Sequence, residues 1–493
     1  MEGDEFRKTA HETVDWICDY LEGIEGYPVV PGTAPGEIRS QLPDAPPEKG
    51  ESMEQILEDF RQIIVPGMTH WQHPGFMAYF PANHSQPSLL AEMLTAALGA
   101  QCMSWQTSPA ATELEEQAMI WLRELFHLPD SFTGVIESGA SFATLSSLLT
   151  ARESRSHDAG RAWGLQSGGK RFTTYCSEEA HSSIDRAVRM SGLGESCLRK
   201  IPTDAQCRLI PSELEKAICQ DLEEGNIPLW ISVTLGSTGT TATDPVSEIA
   251  KISTTYGLWM HVDAAYVGPC LMLPEYAWML EGLDAADSLV INPHKWMPVN
   301  FDCSAYFVRD VAALIRTWEI LPEYLKSCEH TPVNNYRDWG PALGRRFRAL
   351  KLWFVLRYFG REGLSALLRK QISFAQNLAE SIRREQDFEL MLTPQFNLLC
   401  FRYRPVSLSA DVDLDTLNQT LLDHLNRSGH VYLSHTRVKD SFAIRLVTGQ
   451  TRLEERHVQS VWNLIRESAR KLHRPSRDQR NGSSATEVRL PVL

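Results

Sequence analysis

Two hydrophobic rhythms alternate along the middle of the chain. Short apolar runs bounded by Gly, Pro, Asn or Asp read as buried strands, and between them lie longer stretches with apolar residues three and four apart, which read as helices. The runs are Gly134-Val135-Ile136, Phe172 to Tyr175, Leu229 to Val233, Leu258 to Val262, Leu289 to Ile291 and Ser304 to Val308. Strands that alternate with helices in this way predict an α/β fold built on a large, mostly parallel sheet.

The flanks read differently. Phe6, Ala10, Val14, Ile17, Leu21 and Ile24 recur at helical spacing, with acidic residues on the other side. This amphipathic helix must bury its stripe on its own domain or on a second subunit. The proline-rich stretch from Tyr27 to Pro47 predicts neither regular helix nor central strand, and a second helix, about Met53 to Ile64, precedes the aromatic segment Trp71 to Pro81. After Tyr336 a basic helical segment, Arg345 to Tyr358, leads into helices over Leu364 to Glu385 and a strand, Leu398 to Arg402. Alternation over Phe442 to Val447 and a last helix, His457 to His473, complete a small α+β C-terminal domain. The expected division is an N-terminal helical segment (1–85), a large domain (86–360), the small domain (361–473) and a tail (474–493) whose Arg, Ser, Asn and Gly content predicts disorder. No internal repeat is visible.

Composition narrows the function classes. The 493 residues can bury a large core across two or three domains, and 43% apolar with 22% charged residues are globular values. A net charge of −14 argues against a nucleic-acid groove or an anionic membrane surface as partner. The ten cysteines contain no C-x-x-C pair, the acidic opening is followed by no apolar signal region, and no run reaches the length of a membrane span. A reducing, cytoplasmic location is expected.

Chemistry concentrates at the ends of the apolar runs. Lys295 follows Leu289 to Ile291 and the breaker Asn292-Pro293, and Asp263 ends the run through Val262. A lysine past a strand is most often a solvated loop charge. An acid and a lysine at the ends of two such strands are also what pyridoxal phosphate requires: a carboxylate for the pyridinium nitrogen and an amine for the aldehyde. A carboxylate about 4 Å from a cation is worth roughly 4 kcal/mol at an effective dielectric near 20, or about 3 pKa units. That keeps a pyridine protonated at neutral pH. Glu137-Ser138-Gly139-Ala140-Ser141 links a strand to a helix, where small residues let free N–H groups reach an anion. Leu235 to Thr241 forms a Gly- and hydroxyl-rich loop after another strand, and His181 follows a further strand end, where an imidazole can stack on a ring and carry protons. Gly164 to Lys170 fits a phosphate-loop spacing, but Arg171 stands where a magnesium-binding hydroxyl is needed, and the segment precedes a strand. No metal site is expected: Pro74 interrupts the His70-x-x-His73 vicinity, and neither H-E-x-x-H nor a Cys quartet exists. The run Gly344 to Arg348 reads as a helix start with solvated or ion-paired arginines.

Together, Asn-Pro-His-Lys-Trp at 292–296, His-Val-Asp-Ala-Ala-Tyr at 261–266, Ala-His-Ser-Ser at 180–183, Phe-Asp-Cys-Ser at 301–304 and Leu-Gly-Arg-Arg-Phe-Arg at 343–348 resemble the group II pyridoxal-phosphate decarboxylases. The likeness is strongest to the aromatic-L-amino-acid decarboxylases, with histidine decarboxylase a relative, and runs from the first helix to about residue 470. It implies fold type I with a seven-stranded sheet, an N-terminal segment swapped in a homodimer, and active sites at the interface. It assigns Lys295 to the internal aldimine, Asp263 to the pyridinium and His181 to the ring face. Ala140, Ser141 and Asn292 fall at phosphate positions, while Thr238, Ala265 and His294 line the cofactor. Tyr324 matches a loop tyrosine that protonates the substrate carbon after CO2 leaves by way of a quinonoid intermediate. Trp71, Tyr79, Phe80 and Pro81 match an aromatic pocket wall built partly across the dimer, and Gly344 sits where glycine accompanies roomy aromatic substrates. Ala82, Gln101 and Met103 replace the threonine, isoleucine and phenylalanine of animal aromatic decarboxylases, which leaves the ring open among tryptophan, dopa, tyrosine, phenylalanine and histidine.

The expected reaction is therefore decarboxylation of an aromatic L-amino acid to its arylalkylamine. An aromatic aldehyde synthase is the nearest alternative, and in the family it accompanies loss of the loop tyrosine or the stacking histidine; both are present. A type I aminotransferase would share Lys295 and Asp263 and would need a carboxylate-binding arginine, for which Arg445 is the candidate.

Overall fold

The computed structural model describes residues 1–167, 171–320, 333–407 and 412–473. Seven strands form the central sheet: β1 Thr133–Glu137, β2 Phe172–Ser177, β3 Leu198–Ile201, β4 Ile227–Thr234, β5 Trp259–Asp263, β6 Ser288–Ile291 and β7 Ser304–Val308. Their order is β1-β7-β6-β5-β4-β2-β3, with β7 antiparallel to both neighbours and the other pairs parallel. Helices that cover both faces of such a sheet leave its strands dry on both sides, which explains their unbroken apolar runs. β6 and β7 are buried at every position. The sequence pattern misses only β3, Leu-Arg-Lys-Ile, an edge strand paired on one side and partly exposed.

The helix Ala140–Trp163 lies against this sheet. Ser147, two turns in, accepts hydrogen bonds from Trp230 Nε1 at 2.9 Å and from the Ser288 hydroxyl at 3.0 Å, so β4 and β6 pin the helix from beneath. Beyond the sheet, Arg348–Arg384 is helical with a break at Gly360, matching the two helices expected there. A second sheet contains β8 Phe388–Leu390, β9 Leu398–Tyr403, β10 Ser434–Val438 and β11 Ser441–Val447, all antiparallel in the order β10-β11-β9-β8. Helices Leu414–Arg427 and Glu455–His473 pack with it. β8 and β10 escape the apolar pattern because both are short and half-exposed.

The first helix, Gly3–Glu22, and the pair Met53–Asp59 and Phe60–Ile64 stand where the periodicity places them. Leu21 and Ile24 are buried, but Phe6 of the same stripe is 64% exposed. One expectation is corrected: the proline-rich stretch contains a short helix, Glu37–Gln41, formed in the proline-free run between Pro35 and Pro43. Among the described residues no helix is long and apolar enough to cross a membrane. The tail 474–493 lies outside the described residues.

After β4 the chain turns at Gly236, whose φ of +86° suits glycine; a Cβ there would stand 2.5 Å from Val267 Cγ1. Gly236→Ala is therefore expected to lower the stability of the cofactor-free protein by roughly 2 kcal/mol, measured as a shift in urea midpoint. An unchanged midpoint would show that Val267 yields without cost.

Candidate active site

Five strands running toward one rim of the sheet, β1, β2, β4, β5 and β6, each deliver polar residues there, outside the carboxyl ends of the parallel strands. Around that rim lies a cavity of about 300 Å3. From the end of β1 come Ser138, Gly139, Ala140 and Ser141. Ala140 and Ser141 open the helix Ala140–Trp163, so their N–H groups have no intrahelical carbonyl and carry the positive end of the helix dipole. β2 is followed by His181, β4 by Gly236 and Thr238, and β5 ends on Asp263 with Ala265 two residues on. β6 gives Asn292, His294 and Lys295: Pro293 stops the strand and begins the helical turn Pro293–Trp296, which carries the lysine.

Burial sets the charge states. It pushes the Lys295 amine below its ordinary pKa of 10.5, opposed by the Asp263 carboxylate and assisted by Arg445. The Asp263 carboxylate accepts the Ala265 N–H at 3.1 Å, which orients it. Desolvation also lowers His181, against the pull of Asp263. The Ser183 N–H donates to His181 Nδ1 at 3.1 Å, so the neutral ring carries its proton on Nε2. His294 is lowered to about 4 by burial, accepts the Cys303 N–H at 2.9 Å, and meets the edge of Phe301 at 4.8 Å.

Phe80 closes the cavity from the N-terminal segment. Its ring stacks on Tyr266 at 3.6 Å, and Tyr266 stacks on Trp296 at 4.9 Å. Two cations flank Phe80, with Lys295 Nζ 5.5 Å and the Arg445 guanidinium 4.7 Å from its centroid. Arg445 Nη1 donates to the Tyr79 carbonyl at 2.6 Å and Nε to the Thr238 carbonyl at 3.0 Å, so this arginine ties the aromatic segment to the loop after β4. Its Nη2 is buried without a partner.

The remaining sequence-derived residues fall into two groups. Trp71 and Tyr79 form a half-exposed aromatic platform, 6.2 Å apart and continued by Tyr432, and Pro81 packs on Gly449. Gln101, Met103 and Gly344 do not line the cavity. They adjoin one another: Gln101 Oε1 accepts the Arg345 N–H at 2.8 Å, the Met103 carbonyl accepts the Arg337 N–H at 2.9 Å, and a Cβ on Gly344 would stand 3.1 Å from Gln101 Nε2. Arg345 is buried against Glu115 at 2.7 Å, while the other two arginines of its run pair at the surface and with Asp302. Tyr324 lies outside the described residues. Sequence reasoning gave no site role to Phe301, Thr234 and Tyr432: Phe301 opens the Phe-Asp-Cys-Ser motif and Thr234 immediately precedes the Leu235 to Thr241 loop, whereas Tyr432, beside Tyr79, lies in the short apolar run Val431-Tyr432-Leu433, which carries no chemical signal. His70 and His73 serve structure: His73 Nδ1 accepts the Gly75 N–H at 2.8 Å and His70 pairs with the Tyr20 hydroxyl.

The cavity suits pyridoxal phosphate by its donor set. A small-residue anion site, a carboxylate and an amine face one space, and two polar side-chain atoms on its wall, Thr234 Oγ1 and Asn292 Oδ1, are buried without protein partners. Ala140, Ser141, Thr238 and Asn292 would hold the phosphate end, and Asp263, Ala265 and His181 the ring.

Comparison with known proteins gives the same class. Residues 35–404 match the pyridoxal-dependent decarboxylase conserved domain. A tryptophan decarboxylase of Camptotheca acuminata is 39% identical over 95% of this chain and 95% of its own, and a phenylacetaldehyde synthase of Arabidopsis thaliana is 38% identical over 95% of this chain and 96% of its own. The crystal structure of Catharanthus roseus tryptophan decarboxylase in complex with L-tryptophan superposes with a TM-score of 0.90 at 37% identity, covering 96% of this chain and 99% of that one.

Because burial outweighs Asp263 at His181, its imidazole is expected to titrate below 6.5 in the cofactor-free protein. Histidine-selective NMR titration reads this directly, and a midpoint above 6.5 would reverse the order of the two effects.

Proposed function

The chain belongs to the pyridoxal-dependent decarboxylase family, and from that premise we propose that it converts an aromatic L-amino acid to the corresponding arylalkylamine and CO2. The observation that carries the reading is the meeting of Lys295, Asp263, His181 and the Ala140-Ser141 turn on one cavity walled by Phe80 and Tyr266. Relatives named for tryptophan and phenylacetaldehyde chemistry support an aryl side chain.

When bound, pyridoxal phosphate supplies an aldehyde for the substrate amine and a ring that accepts the electron pair left by departing CO2. The protein's part follows from its own groups. Lys295, desolvated and shifted toward its neutral form, would supply the amine that holds the cofactor's aldehyde. Asp263 would hold the proton on the pyridine nitrogen. His181 offers a flat neutral face with its proton on Nε2. Phe80, backed by Tyr266 and Trp296, keeps water from that side of the cavity. One proton must then replace CO2 on the substrate carbon, and Tyr324 is its proposed donor. With Tyr324 and His181 both present, amine is favoured over aldehyde.

The site is proposed to be completed by a second copy of the chain. Gln101, Met103 and Gly344 stand apart from their own cavity and are read as belonging to a partner's pocket. Leu90, Met93, Leu94 and Leu98 leave an exposed apolar face on the helix Gln86–Leu98, beside an open groove floored by Trp353 and Phe354 and rimmed by Tyr358. Residues 1–85 would act as the swapped segment, 86–360 as the cofactor domain and 361–473 as the small domain. Nine described cysteines are free, in keeping with a cytoplasmic location.

Incubation of the holo-protein with tryptophan, dopa, tyrosine, phenylalanine and histidine is expected to release amine and CO2 in equal amounts from at least one of them. Aldehyde with peroxide would favour the synthase reading, keto acid an aminotransferase, and no turnover would overturn all three. Lys295→Ala is expected to cut turnover by several orders of magnitude and to stop borohydride from fixing cofactor to the chain; retained fixation would remove Lys295 from its role. Sedimentation is expected to give twice the 55.6 kDa chain mass. Mixed and refolded, Lys295→Ala and Gly344→Trp chains are expected to regain activity that neither has alone, and failure to do so would place both residues in one pocket of one chain.

A further inference from the structure

Asn83 lies outside the cavity lining and is buried, at 1% exposure. Its side-chain amide joins three segments. Nδ2 donates to the main-chain carbonyl of Lys295 at 2.9 Å and to that of Gly449 at 2.7 Å, while Oδ1 accepts the Thr451 N–H at 2.9 Å. Both amide protons are used, and the orientation is fixed, because reversing the amide would set its oxygen against two carbonyls. Gly449 has a further donor, Gln371 Nε2 at 3.2 Å, so loss of Asn83 falls chiefly on Lys295.

The surroundings leave no slack. A Cβ on Gly449 would stand 2.6 Å from the Tyr266 hydroxyl and 2.9 Å from Asn397 Nδ2, so the loop after β11 cannot slide past the aromatic stack. That loop continues the strand that carries Arg445, which flanks Phe80 opposite the lysine's own strand end. On its other side the lysine is held by its N–H to the Asn292 carbonyl at 3.0 Å. Lys295 is thus gripped at both main-chain groups, once within its own turn and once by a side chain that also reads the position of the C-terminal loop.

We propose that Asn83 is a positioning residue for Lys295, fixing the main chain from which the amine reaches the cofactor and referring it to the loop 448–451. This rests on the reading of Lys295 as the residue that binds the cofactor aldehyde. The amide keeps the lysine turn in register with Phe80 and Arg445, so that motion of the small domain is felt at the amine.

Asn83→Asp, nearly isosteric, replaces two donors with a carboxylate facing two carbonyls and is the sharpest test; Asn83→Ser keeps one donor. For holo-protein, Asn83→Asp is expected to bind pyridoxal phosphate about tenfold more weakly and, at saturating cofactor, to turn over about tenfold more slowly with KM within about twofold. The pH at which the visible absorbance of bound cofactor changes is expected to move, with Asn83→Ser between parent and Asn83→Asp. A parent-like kcat and absorbance profile at saturating cofactor overturns the proposal, whatever the loss in melting temperature, since a merely structural tie would lower stability alone. If circular dichroism shows Asn83→Asp unfolded, the same criteria are applied to Asn83→Ser. A parent protein that develops no visible absorbance with the cofactor defeats the reading of Lys295 itself and is told apart by that control.

Discussion

The register between β5 and β6 is the constraint on which the site depends. Asp263 pairs opposite Val290, and one residue later β6 ends at Ile291 and hands over to the turn that carries Lys295. Side chains alternate across a sheet, so a slip of one residue would turn Asp263 to the other face. The slip is opposed by the apolar core: Val262, Leu289 and Ile291 are each fully buried and would have to leave their contacts. Neighbouring strands extend the same alignment, with Thr234 opposite Asp263 and Ile291 opposite Ala305. Packing energy spread over the sheet thereby holds an acid and an amine that would otherwise favour water.

The N-terminal segment turns this alignment into an enclosed site. Residues 75–77 run beside Tyr432 and Val447 through main-chain hydrogen bonds, so the segment is stitched to β11 and the chain ahead of β10 before it reaches Phe80. Arg445 then bonds the carbonyls of Tyr79 and Thr238, bridging that segment to the loop after β4. The aromatic side of the cavity is built by three parts of the chain that are distant in sequence. Its shape responds to how they pack.

How far the sequence disclosed this varies with the physics involved. Strands dry on both faces announce themselves as unbroken apolar runs, which is why β4, β5, β6 and β7 are legible and β3, wet on one edge, is not. Motifs at strand ends are legible because the chemistry there demands particular residue types: Asp263, Lys295 and the Gly139 to Ser141 turn are found without any structure. Arg445 shows the limit. Its residue type suggested a carboxylate clamp, but two of its donor nitrogens are committed to backbone carbonyls. Asn83 was invisible for a related reason, since a side chain that serves main-chain groups needs no complementary residue type and leaves no pattern. The separation of Gln101 and Gly344 from the cavity is likewise a fact of tertiary placement that spacing along the chain does not encode.

The bonds from Trp230 and Ser288 to Ser147 have a mechanical consequence. They fasten the helix whose first turn faces the anion site to β4 and β6, the strand of the lysine and the neighbour of the strand that bears Asp263. Both ends of a ligand lying along the rim are therefore referenced to one rigid frame. A ligand so held has its tilt dictated by the core, and changes as remote as Ser147 can rotate it without touching it.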